Sequence, residues 1–290
     1  MNAVVTPIVA PATESTLAGP KILLIGAAGS GKTYALGTLV DWAAERKRKV
    51  NCLFVENGLE TLLGYWSDKG KPIPDNLRYH VLMTKSIPLA SLMDAAKKVG
   101  VLSYKSITEM VDPDRAKNNP YYKILESLAS FVDDRTGEIL GNVGEWKRED
   151  IFVIDSLSEL ANACMKMVIG SKPTASPSDY GVAQNNLLNL LRWLTQGFAP
   201  TLVITAHVQR QVDEISGQTK LMTKAIGKAI GDDIPQLFSE VIGTVRDGTN
   251  WYWDTANSSL DTKTRSLPIA SKIAPDFAQI MNKWEKRGGA

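Results

Sequence analysis

The sequence has only two cysteines and two histidines among its 290 residues. Cys52 and Cys164 lie in apolar surroundings without CxxC spacing, which excludes a disulfide framework and a thiolate metal site; they read as reduced core residues. With His80 and His207 as the whole histidine complement, a zinc site built on several imidazoles is excluded as well. Neither charge dominates: 33 basic residues stand against 31 acidic ones, for a net charge of +2. Any nucleic-acid contact must therefore come from a local patch. No apolar run approaches the roughly 20 residues that span a bilayer. The opening segment, MNAVVTPIVAPATESTLAGP, lacks the basic start and continuous apolar centre of a secretion signal. It predicts a loose arm over residues 1–20, and the chain reads as cytoplasmic with no membrane partner. There is no internal repeat and no low-complexity tract.

What remains is an ordinary globular composition, 44% hydrophobic and 22% charged, long enough for one large α/β domain or a domain with an insertion. Strand-like runs recur at KILLIG (21–26), VNCLFVE (50–56), RYHVLM (78–83), IFVID (151–155) and TLVITAH (201–207). Helical segments lie between them, the first from about Lys32 to Arg48. Continuous rather than alternating apolar character predicts strands buried on both faces of a mainly parallel central sheet flanked by helices. After Gly231 the pattern changes. SEVIGTVRDGTNWYWDTAN reads as two strands around a turn at Asp247-Gly248, a C-terminal antiparallel hairpin extension. Residues 95–149 hold two candidate strands unusually far apart, and read either as an insertion or lid on the core or as a helix pair crossing the sheet.

GAAGSGKT follows the first strand and opens the first helix. Gly26, Gly31, Lys32 and Thr33 fit G-x-x-x-x-G-K-[ST] in the strand-loop-helix context that this pattern requires. Its glycines let backbone N–H groups turn inward at phosphate oxygens, and the helix N-terminus adds positive potential. The nucleotide-binding residues are thus Gly26, Ala27, Ala28, Gly29, Ser30, Gly31, Lys32, Thr33 and the following Tyr34. Lys32 is placed to reach the β- and γ-phosphates of ATP and Thr33 to ligate Mg²⁺. Asp155 ends a buried strand, where its carboxylate can hold the metal's water shell. Glu56 ends the strand after the phosphate-loop helix, where a carboxylate can orient and deprotonate water. Because Ser156 rather than Glu follows Asp155, the base must come from elsewhere, and Glu56 is the candidate.

In this order, GAAGSGKT, FVENG, FVIDS, SDYG (178–181) ahead of a long helix, VITAH and the final FSEVIGTVRDG…KTRS resemble the RecA-like P-loop ATPases. The likeness is closest to the phage-encoded members that act in single-strand annealing recombination. The resemblance covers most of residues 21–275 apart from 95–149 and implies a RecA-like ATPase domain over 21–290. It implies that His207 senses the γ-phosphate and reports to a DNA-facing loop over about 208–230, which carries Arg210, Lys220, Lys224 and Lys228. It also implies filaments or rings in which Lys263 and Arg265 of one copy reach the ATP of the next. The partners it implies are single-stranded DNA and a single-strand binding protein. The chain has no recognisable additional DNA-binding domain, which favours annealing or a loading role over strand exchange. A DNA motor, or a nucleotide-switched assembly protein with little turnover, are the alternatives. ERKRK (45–49) reads as a solvated helix end rather than a nucleic-acid patch, and Trp251 and Trp253, on one face of the hairpin, read as packing residues rather than base-stacking ones.

Overall fold

The apolar run KILLI has no polar break, and it forms a strand, β1 (Lys21–Gly26), buried along its whole length. Alternation divides it between two cores. Ile22 and Leu24 face one core, shared with Leu36, Leu39, Trp253 and Phe277, while Leu23 and Ile25 face another, shared with Phe152, Leu157, Leu187 and Phe238. The computed structural model describes residues 17–82, 119–170, 172, 174–212, 219–227 and 230–289, with Met93, Lys97, Gly100 and Val101 as single positions.

Helix α1 (Lys32–Glu45) follows the phosphate-loop sequence. Its buried positions Ala35, Leu36, Leu39, Val40 and Ala43 repeat at helical spacing and pack one face on the sheet. Next come β2 (Val50–Phe54), α2 (Leu59–Ser67) and β3 (Leu77–Val81). Beyond residue 118 lie α3 (Pro120–Ala129), β4 (Phe131–Val132) and β5 (Ile139–Gly141), then β6 (Ile151–Asp155) and α4 (Leu157–Ile169). Asn119 caps α3 by accepting from the N–H groups of Tyr121 and Tyr122. Within the stretch 95–149, the described part from 119 is not detached from the rest: Tyr121, Ile124, Leu128 and Phe131 join the core on one sheet face. Helix α5 (Pro177–Gln196) begins with a capping box between Ser176 and Asp179. The SDYG run is therefore the first turn of the long helix and not a segment ahead of it. The chain continues through β7 (Thr201–Val212), β8 (Thr219–Thr223), β9 (Glu240–Asp247), β10 (Asn250–Asp254) and α6 (Ala278–Lys286).

The strands lie in the order β10-β9-β1-β7-β6-β2-β3, with β8 paired to β7. All neighbours on this path are parallel except β9 and β10, which form the expected antiparallel hairpin about Gly248, whose φ is 60°. The hairpin is not an appendage, because β9 pairs in parallel with β1. Three boundaries differ from the sequence reading. β2 stops at Phe54, so Glu56 stands just beyond the strand. The first helix ends at Glu45, where Arg46 and Arg48 turn back to Glu285 at 2.9 and 3.5 Å and lie over the Trp42 ring. β7 runs past His207 to Val212 and pairs antiparallel with β8, so 208–212 and 219–223 form a ribbon and not a loop. Both cysteines are buried and free; burial pushes the Cys164 thiol up to about 11. Among the described residues no helix is long and apolar enough to cross a membrane.

Candidate functional site

Parallel strands place the residues after their carboxyl ends along one edge of the sheet, and the candidate site is assembled there. The loop between β1 and α1 keeps Ala27, Ala28 and Gly29 exposed, with φ of 73° at Gly29 and 84° at Gly31. These left-handed values are why glycine occupies both positions. Gly31 also lies against the Trp251 ring, where a Cβ would come within 2.8 Å of Cγ. Ser30 braces the loop by donating to the carbonyl of Ala27 and sharing a hydrogen bond with Thr244 of β9, each at 2.7 Å.

Lys32 is buried, and its ammonium donates to the carbonyls of Gly26 at 2.9 Å and Ala27 at 2.8 Å. Burial lowers its pKa, against the fields of Asp155 and Glu56, which raise it. Thr33 donates its hydroxyl to Asp155 Oδ2 at 2.8 Å, and Thr205 of β7 donates to Asp155 Oδ1. Asp155 is fully buried. That burial pushes its carboxyl above the ordinary carboxylate range, while the two threonine hydroxyls pull it down, Glu56 raises it and Lys32 lowers it. The Asp155 carbonyl accepts from the N–H groups of Val55, at 2.6 Å, and Glu56, at 3.3 Å, so the two acids are tied through the backbone. Gly58 completes this corner: a Cβ there would run into Asp155 Oδ2 and the Phe54 ring.

Glu56 and His207 meet across the edge, with Oε2 and Nε2 3.5 Å apart and both side chains a quarter exposed. Glu56 also lines a cavity of about 970 Å³ between α2 and the end of β3, with Asn57, Leu59, Leu63, Lys71 and Val81. The structure thus brings together Lys32, Thr33, Asp155, Glu56 and His207. Tyr34 stands beside the loop, its ring centroid 4.9 Å from that of Trp251, whose indole donates to the Gly29 carbonyl at 3.1 Å. Trp253, on the same strand face, is fully buried against Phe277.

The donor set fits Mg²⁺. A threonine hydroxyl and a carboxylate side by side are hard oxygen ligands, and this ion takes few protein ligands while keeping waters and phosphate oxygens. Among the described residues no cluster of three or more His, Cys, Asp and Glu forms an alternative metal site. Lys32, Thr33 and Asp155 are the residues that would hold a nucleotide phosphate and its metal.

Lys263 and Arg265 lie elsewhere. Lys263 pairs with Val241 of β9, three residues before Thr244, which is opposite Gly26. It therefore sits roughly 10 Å back along the strands from the phosphate loop. With Arg287 and the buried Glu240, both line a cavity of about 390 Å³. Within one copy of the chain Lys263 lies away from the loop. Among the four basic residues assigned to nucleic acid, Arg210 and Lys224 are exposed on the ribbon. Lys220 is held by Asp232 at 2.9 Å and Asp261 at 3.0 Å, so its charge is already matched. Lys228 lies outside the described residues. Sequence reasoning missed Thr205, whose only signal was a polar residue in an apolar strand, and Ser158, whose hydroxyl touches both His207 and Lys224.

In comparison with known proteins, the AAA domain family matches residues 18–267, a span that takes in Lys32, Thr33, Glu56, Asp155, His207, Lys263 and Arg265. A search of curated proteins found no match.

Proposed function

The chain belongs to the AAA domain family, and from that premise we propose that it is a Mg²⁺-dependent ATPase, oligomeric when active, that couples ATP binding to single-stranded DNA and supports phage-type recombination by strand annealing. One observation carries the ATPase half: Lys32, Thr33, Asp155, Glu56 and His207 converge at the carboxyl ends of four strands, β1, β2, β6 and β7. Lys32 exchanges the carbonyls of Gly26 and Ala27 for phosphate oxygens, while the loop amides and the start of α1 hold the remaining negative charge. Thr33 and Asp155 hold the metal, which when bound neutralises phosphate charge. Glu56 orients a water and takes its proton, and its separation from His207 gives the site a polar contact that responds to what lies beside it.

The DNA half is supported by the ribbon that rises from His207 with Arg210 and Lys224 exposed, cations suited to a phosphate backbone. The oligomer is supported by the position of Lys263 and Arg265, which can meet a nucleotide only in another copy. A single-strand binding protein remains a partner on the resemblance alone. The test is ATP turnover with and without single-stranded DNA, together with a gel shift at saturating ATP. Turnover that rises with DNA and a shift that needs ATP are expected; unchanged turnover with no shift would remove the DNA half. The 3.5 Å contact that engages Glu56 with His207 favours, as a second reading, a nucleotide switch with little turnover. Binding of ATP without measurable hydrolysis by the wild type would select it.

A further inference from the structure

β7 belongs to two pieces of sheet. It pairs with β6 from Thr201 to Ile204 and with β1 from Leu202 to His207, and from Val208 it pairs with β8 alone. His207 is the change-over: in register it stands opposite Gly26, the first glycine of the phosphate loop, and the next residue stands opposite Thr223. A two-stranded ribbon is marginal by itself, so what fixes its base matters.

One hydroxyl ties both strands of the base to α4. Ser158 Oγ accepts the N–H of His207 at 3.0 Å and donates to the carbonyl of Lys224 at 3.0 Å, while the Lys224 N–H donates to the carbonyl of His207 at 2.8 Å. Three hydrogen bonds thus close a ring through Ser158, which is 1% exposed. Ser158 stands in the first turn of α4, three residues after Asp155, yet neither of its bonds serves its own helix. A serine at a helix start ordinarily caps it; this one joins the phosphate-loop edge to the ribbon. Only a group that accepts and donates at once can do so, and alanine would leave a buried N–H and a buried C=O unpaired.

We propose that Ser158 is the positioning residue that couples the state of the nucleotide site to the β7–β8 ribbon. It touches neither phosphate nor metal. A displacement at Asp155 or at His207 moves the first turn of α4 and the strand change-over together, and the Ser158 hydroxyl passes it to Lys224 and so to the exposed cations of the ribbon. The ribbon is also attached by Leu221 to the Ser259 carbonyl at 2.6 Å, by Lys220 to Asp232 and Asp261, and by Val208 and Leu221, which pack on the core, but none of these contacts joins His207 to Lys224. The inference rests on the proposed nucleotide site.

The experiment is hydrogen exchange of the ribbon amides, 208–212 and 219–224, in the full chain with and without Mg²⁺ and a slowly hydrolysed ATP analogue. Nucleotide binding is measured separately by calorimetry. In the wild type the analogue changes ribbon exchange by about three- to tenfold, the ratio that one net hydrogen bond supplies. In Ser158→Ala the change falls below about twofold, while the analogue binds as tightly as before. Thr223→Val is the control, because the Thr223 hydroxyl is buried without a partner one residue from Lys224; it keeps the wild-type response. If Ser158→Ala does not fold, Ser158→Cys, which keeps the volume but bonds weakly, is read the same way. A wild-type response in the Ser158 variant, or its loss in Thr223→Val, overturns the proposal. If the analogue binds the wild type and the ribbon does not respond, the coupling fails and the ATP reading stands. If nothing binds at the loop, the ATP reading itself fails and takes the coupling with it.

Discussion

At the carboxyl ends of the strands Lys32 is buried among partners, whereas towards the amino ends Lys263 and Arg265 line a cavity with Arg287. Lys32 gives its protons to two loop carbonyls and lies in the fields of Asp155 and Glu56. Lys263 is lowered by burial and then by Arg265, with Glu240 acting the other way. Glu240 Oε2 is taken by the Thr264 hydroxyl at 2.8 Å and the Arg265 N–H at 3.1 Å. Among the described residues no carboxylate forms an ion pair with Lys263 or Arg265. One end is compensated within the subunit and the other is not. On the proposed function, an incoming phosphate would compete with the loop carbonyls at the first end, and a neighbouring copy would bring its nucleotide to the second.

The largest expected effect breaks the second end. Replacing Lys263 and Arg265 together with alanine lowers ATP turnover about a thousandfold, as for a missing arginine finger, with nucleotide binding retained. Steady-state turnover beside equilibrium binding checks it. At the first end, Glu56→Gln slows hydrolysis by about a hundredfold or more at unchanged ATP affinity. Equal hydrolysis by the variant and the wild type would remove Glu56 as the base.

Asp155→Asn sharpens the contrast in two directions at once. Turnover falls by about a hundredfold, because the metal loses its carboxylate. Stability moves the other way. A carboxyl whose pKa is raised in the folded state binds its proton more tightly there, so its contribution is present below the unfolded pKa and is lost as pH rises through the raised folded value. Above the ordinary carboxylate range burying this carboxyl costs stability, and the ligand-free variant melts higher than the wild type by a margin that shrinks towards acid pH. Thermal melts across that range test the sign.

Smaller still is Gly58→Ala, in which the new Cβ meets Asp155 Oδ2 and Phe54; the overpacking costs about 1–3 kcal/mol. Denaturant titration measures it. The smallest effect separates the ribbon's cations. Arg210→Ala and Lys224→Ala each reduce the salt slope of single-strand binding by about 0.7, the value for one phosphate contact, while Lys220→Ala leaves it nearly unchanged. An equal loss from Lys220→Ala would mean that its bonds to Asp232 and Asp261 open on binding.

Local patterns were legible before the structure, and tertiary ones were not. The phosphate loop is eight contiguous residues with a strand before and a helix after, so its chemistry is written in spacing. Asp155 was visible as an acid closing an apolar strand, and Glu56 likewise, though β2 stops two residues short of it. The parallel sheet followed from runs such as ILLI and IFVI, because strands buried on both faces need no alternation. Thr205 and Ser158 were invisible, since a hydroxyl in an apolar strand or a first helical turn has many ordinary uses. Only the folding of β7 beside β6 gives them Asp155 and His207 as neighbours. The continuation of β7 was missed for a related reason. VQRQV and TKLMT carry too many polar side chains to look like core strands, and they pair with each other beyond the parallel sheet, with Met222 buried and Val208 and Leu221 packed on the core. Lys220 was grouped with the nucleic-acid cations because its specific pairing with Asp232 and Asp261, 12 and 41 positions away, is tertiary.

Whether the phosphate loop of one copy meets the basic cavity of the next is tested most directly by a mixing experiment. Lys32→Ala protein has an intact basic cavity and a disabled phosphate loop, and the Lys263→Ala, Arg265→Ala double variant has the reverse. Each alone turns over ATP at close to background. Mixed in equal amounts, they recover a measurable share of wild-type turnover, because some interfaces combine a working loop with a working cavity. A mixture that stays at background, with the wild type active under the same conditions, would contradict the account.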